Sequence, residues 1–189
     1  MKKTIFALAL LGTLYGEDFQ EIFKIGQKGA KTLLTTLKSE MKKQIKENGI
    51  EGAAQFCAFN AMVLTHKVNQ ELGENVSVKR ISTKYRNPMN KPNESEAKIL
   101  FMLENTNSPV LTKVERKGEE DKEIYKFYQP LRIKPVCLKC HGTAEDIPEG
   151  VRDTIHKIYP EDKATGYKLG DLRGAIVVTI ERDKEKEEK

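Results

Sequence analysis

Apolar residues recur every three or four positions at Leu33, Leu34, Leu37, Met41 and Ile45, with lysines and glutamates between them, which predicts an amphipathic helix. Asn48-Gly49 predicts its stop, because these residues tolerate left-handed backbone. A second helix is expected from about Glu51 to Glu71, with Ala54, Cys57, Ala61, Leu64 and Val68 on one face and Gly73 at its end. Val76 to Ser82 then reads as a strand. Two prolines and three asparagines between Arg86 and Asn93 predict a structured loop, and Asn93 with Glu96 predicts the start of a short helix through Leu103.

Val110–Arg116 and Ile124–Ile133 are β-rich runs, and Lys117 to Asp121 between them has the composition of a hairpin turn. A loop carries Val136 to Gly142, Pro148 opens a small helix that ends before Tyr159-Pro160, and Gly174 to Glu181 is the last strand. Residues 182–189 form a charged, solvated tail. Strands and helices do not alternate as a parallel sheet requires, so the expected class is α+β, an antiparallel sheet with helices packed on one side. Neither an internal repeat nor a linker interrupts it.

The N-terminus has a different pattern. Met1-Lys2-Lys3 is followed by an apolar run from Ile5 to Leu14 and then Gly16-Glu17-Asp18. A basic head and a short apolar stretch ending near a small residue predict a secretory signal peptide over residues 1–16, and hence a periplasmic protein. The run is shorter than the ~20 residues that cross a bilayer core, which makes an uncleaved anchor the weaker reading. No cysteine lies near the cleavage point, which excludes a lipidated N-terminus. The helix over residues 17–48 then leads into the main domain.

Composition narrows the function. The 189 residues are 38 % apolar and 32 % charged, with a net charge of +5 spread over interspersed signs. No basic stripe with aromatics appears, so nucleic acid is not an expected partner. Three cysteines are too few for a disulfide scaffold.

Those cysteines carry the chemistry. Cys137-Leu138-Lys139-Cys140-His141 has the CxxCH form of c-type haem attachment. Two thiols at this spacing can each form a thioether with a haem vinyl group, and the adjacent His141 then serves as proximal iron ligand. Such attachment follows export, so the leader supports it independently. The alternatives are a Cys137–Cys140 disulfide, a thioredoxin-like pair, for which the βαβ context is absent, and a zinc site. Zinc would need two further ligands from Cys57, His66 and His156, and adjacent Cys140 and His141 do not readily face one tetrahedral ion. The sixth iron position is open on sequence grounds to Met41, Met62, Met89, Met102, His66, His156 or Cys57. Nine residues separate Cys57 from His66, which puts them on opposite faces of a straight helix. Cys57 also has a plain reading as a small buried hydrophobe.

Several ordered segments add a resemblance. They are Ala54-Gln55-Phe56-Cys57, Tyr85-Arg86-Asn87-Pro88-Met89-Asn90-Lys91-Pro92, Tyr128-Gln129-Pro130-Leu131, the CxxCH motif with Gly142, Tyr159 to Tyr167 and Gly170 to Ala175. Over about Gly49 to Ile180 the chain resembles the PAS-like single-haem c-type cytochrome domains first characterised in cyanobacteria. The resemblance implies a PAS-like antiparallel sheet over residues 49–181, with one covalently attached haem c whose iron is ligated by His141 and Cys57. Arg86 is a candidate partner for a haem propionate, against a plain reading of its loop as a rigid turn. Thiolate ligation favours ferric iron and a low potential. The expected function is an exported redox or small-ligand sensor that signals to a membrane sensor protein. A low-potential electron carrier with a redox partner is the alternative, and a zinc-binding or peroxidase-like protein the third reading. Two strong ligands leave no open iron position for turnover, so an enzyme is not expected. Nitric oxide or carbon monoxide would bind by displacing Cys57 or His141.

Overall fold

A computed structural model describes residues 5–106, 108–116 and 122–183, the side chains of 5–18, 111 and 113–116 excepted. The leader side chains and the turn over 117–121 therefore lie outside the described residues; of the expected tail over 182–189, Arg182 and Asp183 instead extend the last strand, with Arg182 2.8 Å from the Glu21 carboxylate, and the rest lies outside the described residues. Helix α1 spans Ile5–Leu72 and is broken at Gly49, where φ is 68° and ψ −176°. The break falls at the expected stop, and glycine adopts that φ without the steric cost a Cβ would bring. Then follow β1 (Val76–Ile81), α2 (Glu94–Asn105), β2 (Leu111–Arg116), β3 (Lys122–Arg132), α3 (Leu138–His141), α4 (Glu149–Ile158) and β4 (Leu172–Asp183). No helix among the described residues is long and apolar enough to cross a membrane.

The four strands form one antiparallel sheet in the order β1-β4-β3-β2, which bears out the α+β class. Successive side chains of β4 point to opposite faces. Ile176, Val178 and Ile180 face Ile22, Ala30 and Leu33 from the first arm of α1, Val68 from its second arm, and Phe127. Ala175 and Val177 face Ile99, Leu100 and Leu103 of α2, together with Tyr128. Helices thus cover both faces, not the one expected. The reason is legible in β4, whose run Ala175-Ile176-Val177-Val178 leaves no polar side to give to water.

The two arms of α1 fold back on each other across Gly49, so Leu33 and Val68 meet in one core. Gly26 makes this approach feasible: a Cβ there would lie 2.5 Å from Cγ of the fully buried Phe127 ring. At the free edge of β1, the Asn69 side chain accepts from Val78 N at 2.6 Å and donates to Val78 O at 3.1 Å. It stands in for a neighbouring strand and closes an edge that would otherwise recruit another chain. Helix α2 begins with the expected capping box, Asn93 and Glu96 each bonding the other's backbone N–H.

Candidate functional site

Between the two arms of α1 and one end of the sheet lies a cleft of about 620 Å³, a size typical of small-molecule sites. Leu37, Met41 and Ile45 line it from the first arm, Ala53, Cys57 and Ala61 from the second, and Arg80, Leu131 and Arg173 from the sheet side. Cys137, Cys140 and His141 complete it. The site residues expected from sequence, which stand far apart in the chain, therefore share one mostly apolar cavity.

The connection from β3 to α4 carries the CxxCH motif as two successive helical turns, Pro135–Cys137 and Leu138–His141. Pro135, with its fixed φ, starts the first, and Gly142 N donates to Leu138 O at 2.9 Å to end the second. Helical winding puts Cys137 and Cys140, three residues apart, on one side. Both are free thiols. Cys140 packs against Ala54 of α1 and Val151 and Ile155 of α4, while Cys137 packs against Ile133, Ala164 and Tyr167. Burial pushes the Cys140 thiol up.

His141 is held by more than packing. Its Nδ1 lies 2.8 Å from the Ala164 carbonyl oxygen. A carbonyl can only accept, so Nδ1 carries the proton and Nε2 keeps a free lone pair. Burial, then the positive charges of Arg173 and Arg86, hold the imidazole well below the usual histidine range and therefore neutral. A neutral ring whose second nitrogen is fixed by a backbone carbonyl is the form that binds a metal. The edge of Tyr167 limits its tilt, at 6.3 Å between centroids and 86° between planes.

Cys57 projects from the second arm of α1 into the same cleft. Burial pushes its thiol up, and the cations Arg80 and Arg86 pull the other way. Tyr159 donates to the Ala58 carbonyl at 2.9 Å, tying the chain after α4 to the helix turn beside Cys57. Of the other candidates for the sixth position, Met41 and Met62 line the cleft. Met89 and Met102 are exposed, as are His66 and His156. Among the described residues no group of three or more His, Cys, Asp or Glu is arranged to hold a metal ion.

Arg86 lines the cleft but is already engaged. Its Nε and Nη2 donate to Asp162 Oδ2 at 3.1 and 3.0 Å, and Nη2 also donates to Cys140 O at 2.6 Å. Asp162 Oδ1 accepts from Ala164 N at 2.9 Å. One ion pair thus positions both the Cys140 backbone and the carbonyl that orients His141. Sequence reasoning passes over Asp162, Arg80 and Arg173. For Arg80 a signal exists, since a charged residue occupies the inward parity of Val76 and Val78 in a strand.

The model of the Tll0287-like family matches residues 21–181, from within the expected N-terminal helix to the last strand. The solved structure titled as the cyanobacterial heme-protein Tll0287 superposes with a TM-score of 0.60, covering 90 % of this chain and 98 % of that one. At 19 % identity this likeness is one of fold. No curated protein matches the chain.

Proposed function

The chain belongs to the Tll0287-like family, and from that premise we propose that it carries one haem c in the cleft and works outside the cytoplasm as a redox or small-ligand sensor. The observation that carries the reading is His141, neutral and with Nδ1 committed to Ala164 O, facing a cavity that also contains Cys57, Cys137 and Cys140. The apolar lining suits a porphyrin, and the similarly folded Tll0287 is titled a heme-protein. When bound, the haem supplies a one-electron couple and an iron with affinity for diatomic gases.

In this reading Cys137 and Cys140 would hold the porphyrin by thioethers, and His141 Nε2 and Cys57 Sγ would hold the iron. A bound iron would keep the Cys57 sulfur deprotonated against the burial that pushes its thiol up. Arg80 and Arg86 are the nearest compensating charges. A Cys57 ligand would suit sensing, because a change of iron state would bear directly on α1, which carries Cys57. Electron transfer is the second reading, favoured by one observation: Val136, adjoining Cys137 at the mouth of the cleft, is 47 % exposed.

Protein matured with a haem-attachment system should gain the mass of one haem, retained through acid-acetone extraction, and should lack free thiols at Cys137 and Cys140. Cys57→Ser should raise the reduction potential and open the ferric iron to added ligands. An unchanged low-spin spectrum in Cys57→Ser would reassign the sixth position to Met41 or Met62. Free thiols at Cys137 and Cys140 would remove the haem c reading.

A further inference from the structure

Two arginines in the cleft each hold a shielded Nε without an acceptor among the described residues. Arg80 sits in β1 with Nε fully shielded from solvent and no hydrogen-bond acceptor for it among the described residues. Arg173, at the start of β4, donates through Nη1 to Ser82 Oγ at 2.7 Å and Lys84 O at 3.2 Å, but its Nε is equally shielded and unpartnered. Burial and their mutual repulsion disfavour the charge on Arg80, and burial with the charge of Arg86 does the same for Arg173.

Both arginines line the main cleft and also an adjoining recess of about 200 Å³, together with Ser82, Asn90 and His141. The carboxylate of Asp162 is bonded to Arg86. Arg80 and Arg173 therefore bring two largely buried positive charges to one wall of an apolar cavity, and among the described residues neither pairs with a carboxylate. Such an arrangement is costly unless a ligand brings the charge. Guanidinium prefers carboxylate, which it can grip through two parallel hydrogen bonds.

We propose that Arg80 and Arg173 receive the two propionate carboxylates of the haem, an assignment that rests on the haem reading above. Arg86, the residue expected from sequence, has its Nε and Nη2 spent on Asp162, Cys140 O and Ala164 O, and its charge is already matched by Asp162, so it has less to give a propionate. Its function is to position the motif. The apolar part of the cleft takes the ring, and the arginines match the charge of its acidic edge.

The test uses the full chain with Cys137→Ala and Cys140→Ala, titrated by absorbance with haemin and with haemin dimethyl ester, whose propionates carry no charge. With Arg80 intact, the free acid should bind about 10- to 100-fold more tightly than the ester, the range of charge-assisted hydrogen bonds. Arg80→Gln should cut this preference by about 3- to 10-fold, leaving the share owed to Arg173, and Arg80→Lys should restore part of it. Apo Arg80→Gln should melt no lower than its parent, since it removes an unpaired buried charge. Should it melt lower, Arg173→Gln supplies the same comparison, with the same loss of preference expected.

Equal binding of acid and ester to the parent would overturn the assignment, as would a preference undiminished in both Arg80→Gln and Arg173→Gln. If acetate raises the melting temperature of the parent in an Arg80-dependent way while acid and ester bind alike, the recess serves a free anion instead. Failure of both porphyrins to bind the parent would overturn the haem reading itself, and this assignment with it.

Discussion

Asp162→Ala is the substitution through which the site's internal wiring can be measured. The Asp162 and Arg86 side chains are only 9 % and 16 % exposed, so their ion pair behaves as a largely buried one. Removing the carboxylate leaves the Arg86 guanidinium facing the Cys140 and Ala164 carbonyls with no counter-charge, and releases Ala164 N from its acceptor. Breaking one side of such a pair costs about 3 kcal/mol, a large share of the roughly 5–15 kcal/mol that holds a typical domain together. Urea unfolding of the apo protein should show that loss as a lower midpoint with an unchanged slope. The double variant Arg86→Met/Asp162→Ala should recover at least about 1 kcal/mol of it, because it removes the stranded charge as well. A single variant within about 0.5 kcal/mol of the parent, or a double variant no more stable than Asp162→Ala, would refute the argument. The pair would then be an ordinary surface contact.

Gly26→Ala should cost about 1–3 kcal/mol in the same assay, because the new Cβ meets a Phe127 ring that is fully buried and cannot retreat. Gly150→Ala should be close to neutral, since the clash there is with the far end of the Glu51 side chain, which can swing away. Gly49→Ala should destabilise by about 1–3 kcal/mol through its backbone alone, because φ 68° with ψ −176° is open essentially to glycine, with no steric neighbour within 4 Å, and Gly49→Asn should cost as much. Asn93→Ala should cost about 1 kcal/mol by removing one half of the capping box on α2.

What sequence makes legible here is local. The stop at Gly49, the capping box at Asn93, the ends of α4 and the opposite-face placement of Cys57 and His66 each depend on residues a few positions apart, where spacing alone decides. Cys57 does face the cleft and His66 does face water. The CxxCH motif is legible too, because its two cysteines and histidine lie within five positions of one another. The charges around it are not. Arg86 and Asp162 are separated by 76 positions, and either could as well have been a solvated surface residue. Sequence alone therefore offers Arg86 a ligand to grip, whereas its bonds hold the scaffold. The second helical layer escapes for another reason: α2 reads as a short amphipathic helix, and nothing in it alone says which face of the sheet it covers. The unbroken apolar run of β4 contains that information, because each of its two faces must find an apolar partner.

The position of β4 has a consequence in time. It is the last strand in chain order yet lies second in the sheet, paired with β1 along one edge and β3 along the other. While the chain is being made, β1 and the β2–β3 hairpin have no common partner, and the apolar faces of α1 and α2 have no strand to close against. The sheet cannot assemble stepwise from its start. It must wait for Leu172 to Asp183, and then form contacts between the most distant parts of its sequence, which are the slow ones in folding. A ribosome that stalls before Leu172 releases two sheet fragments with bare inner edges, a species prone to aggregation. Synthesis of this domain is therefore all or nothing, decided by its final strand.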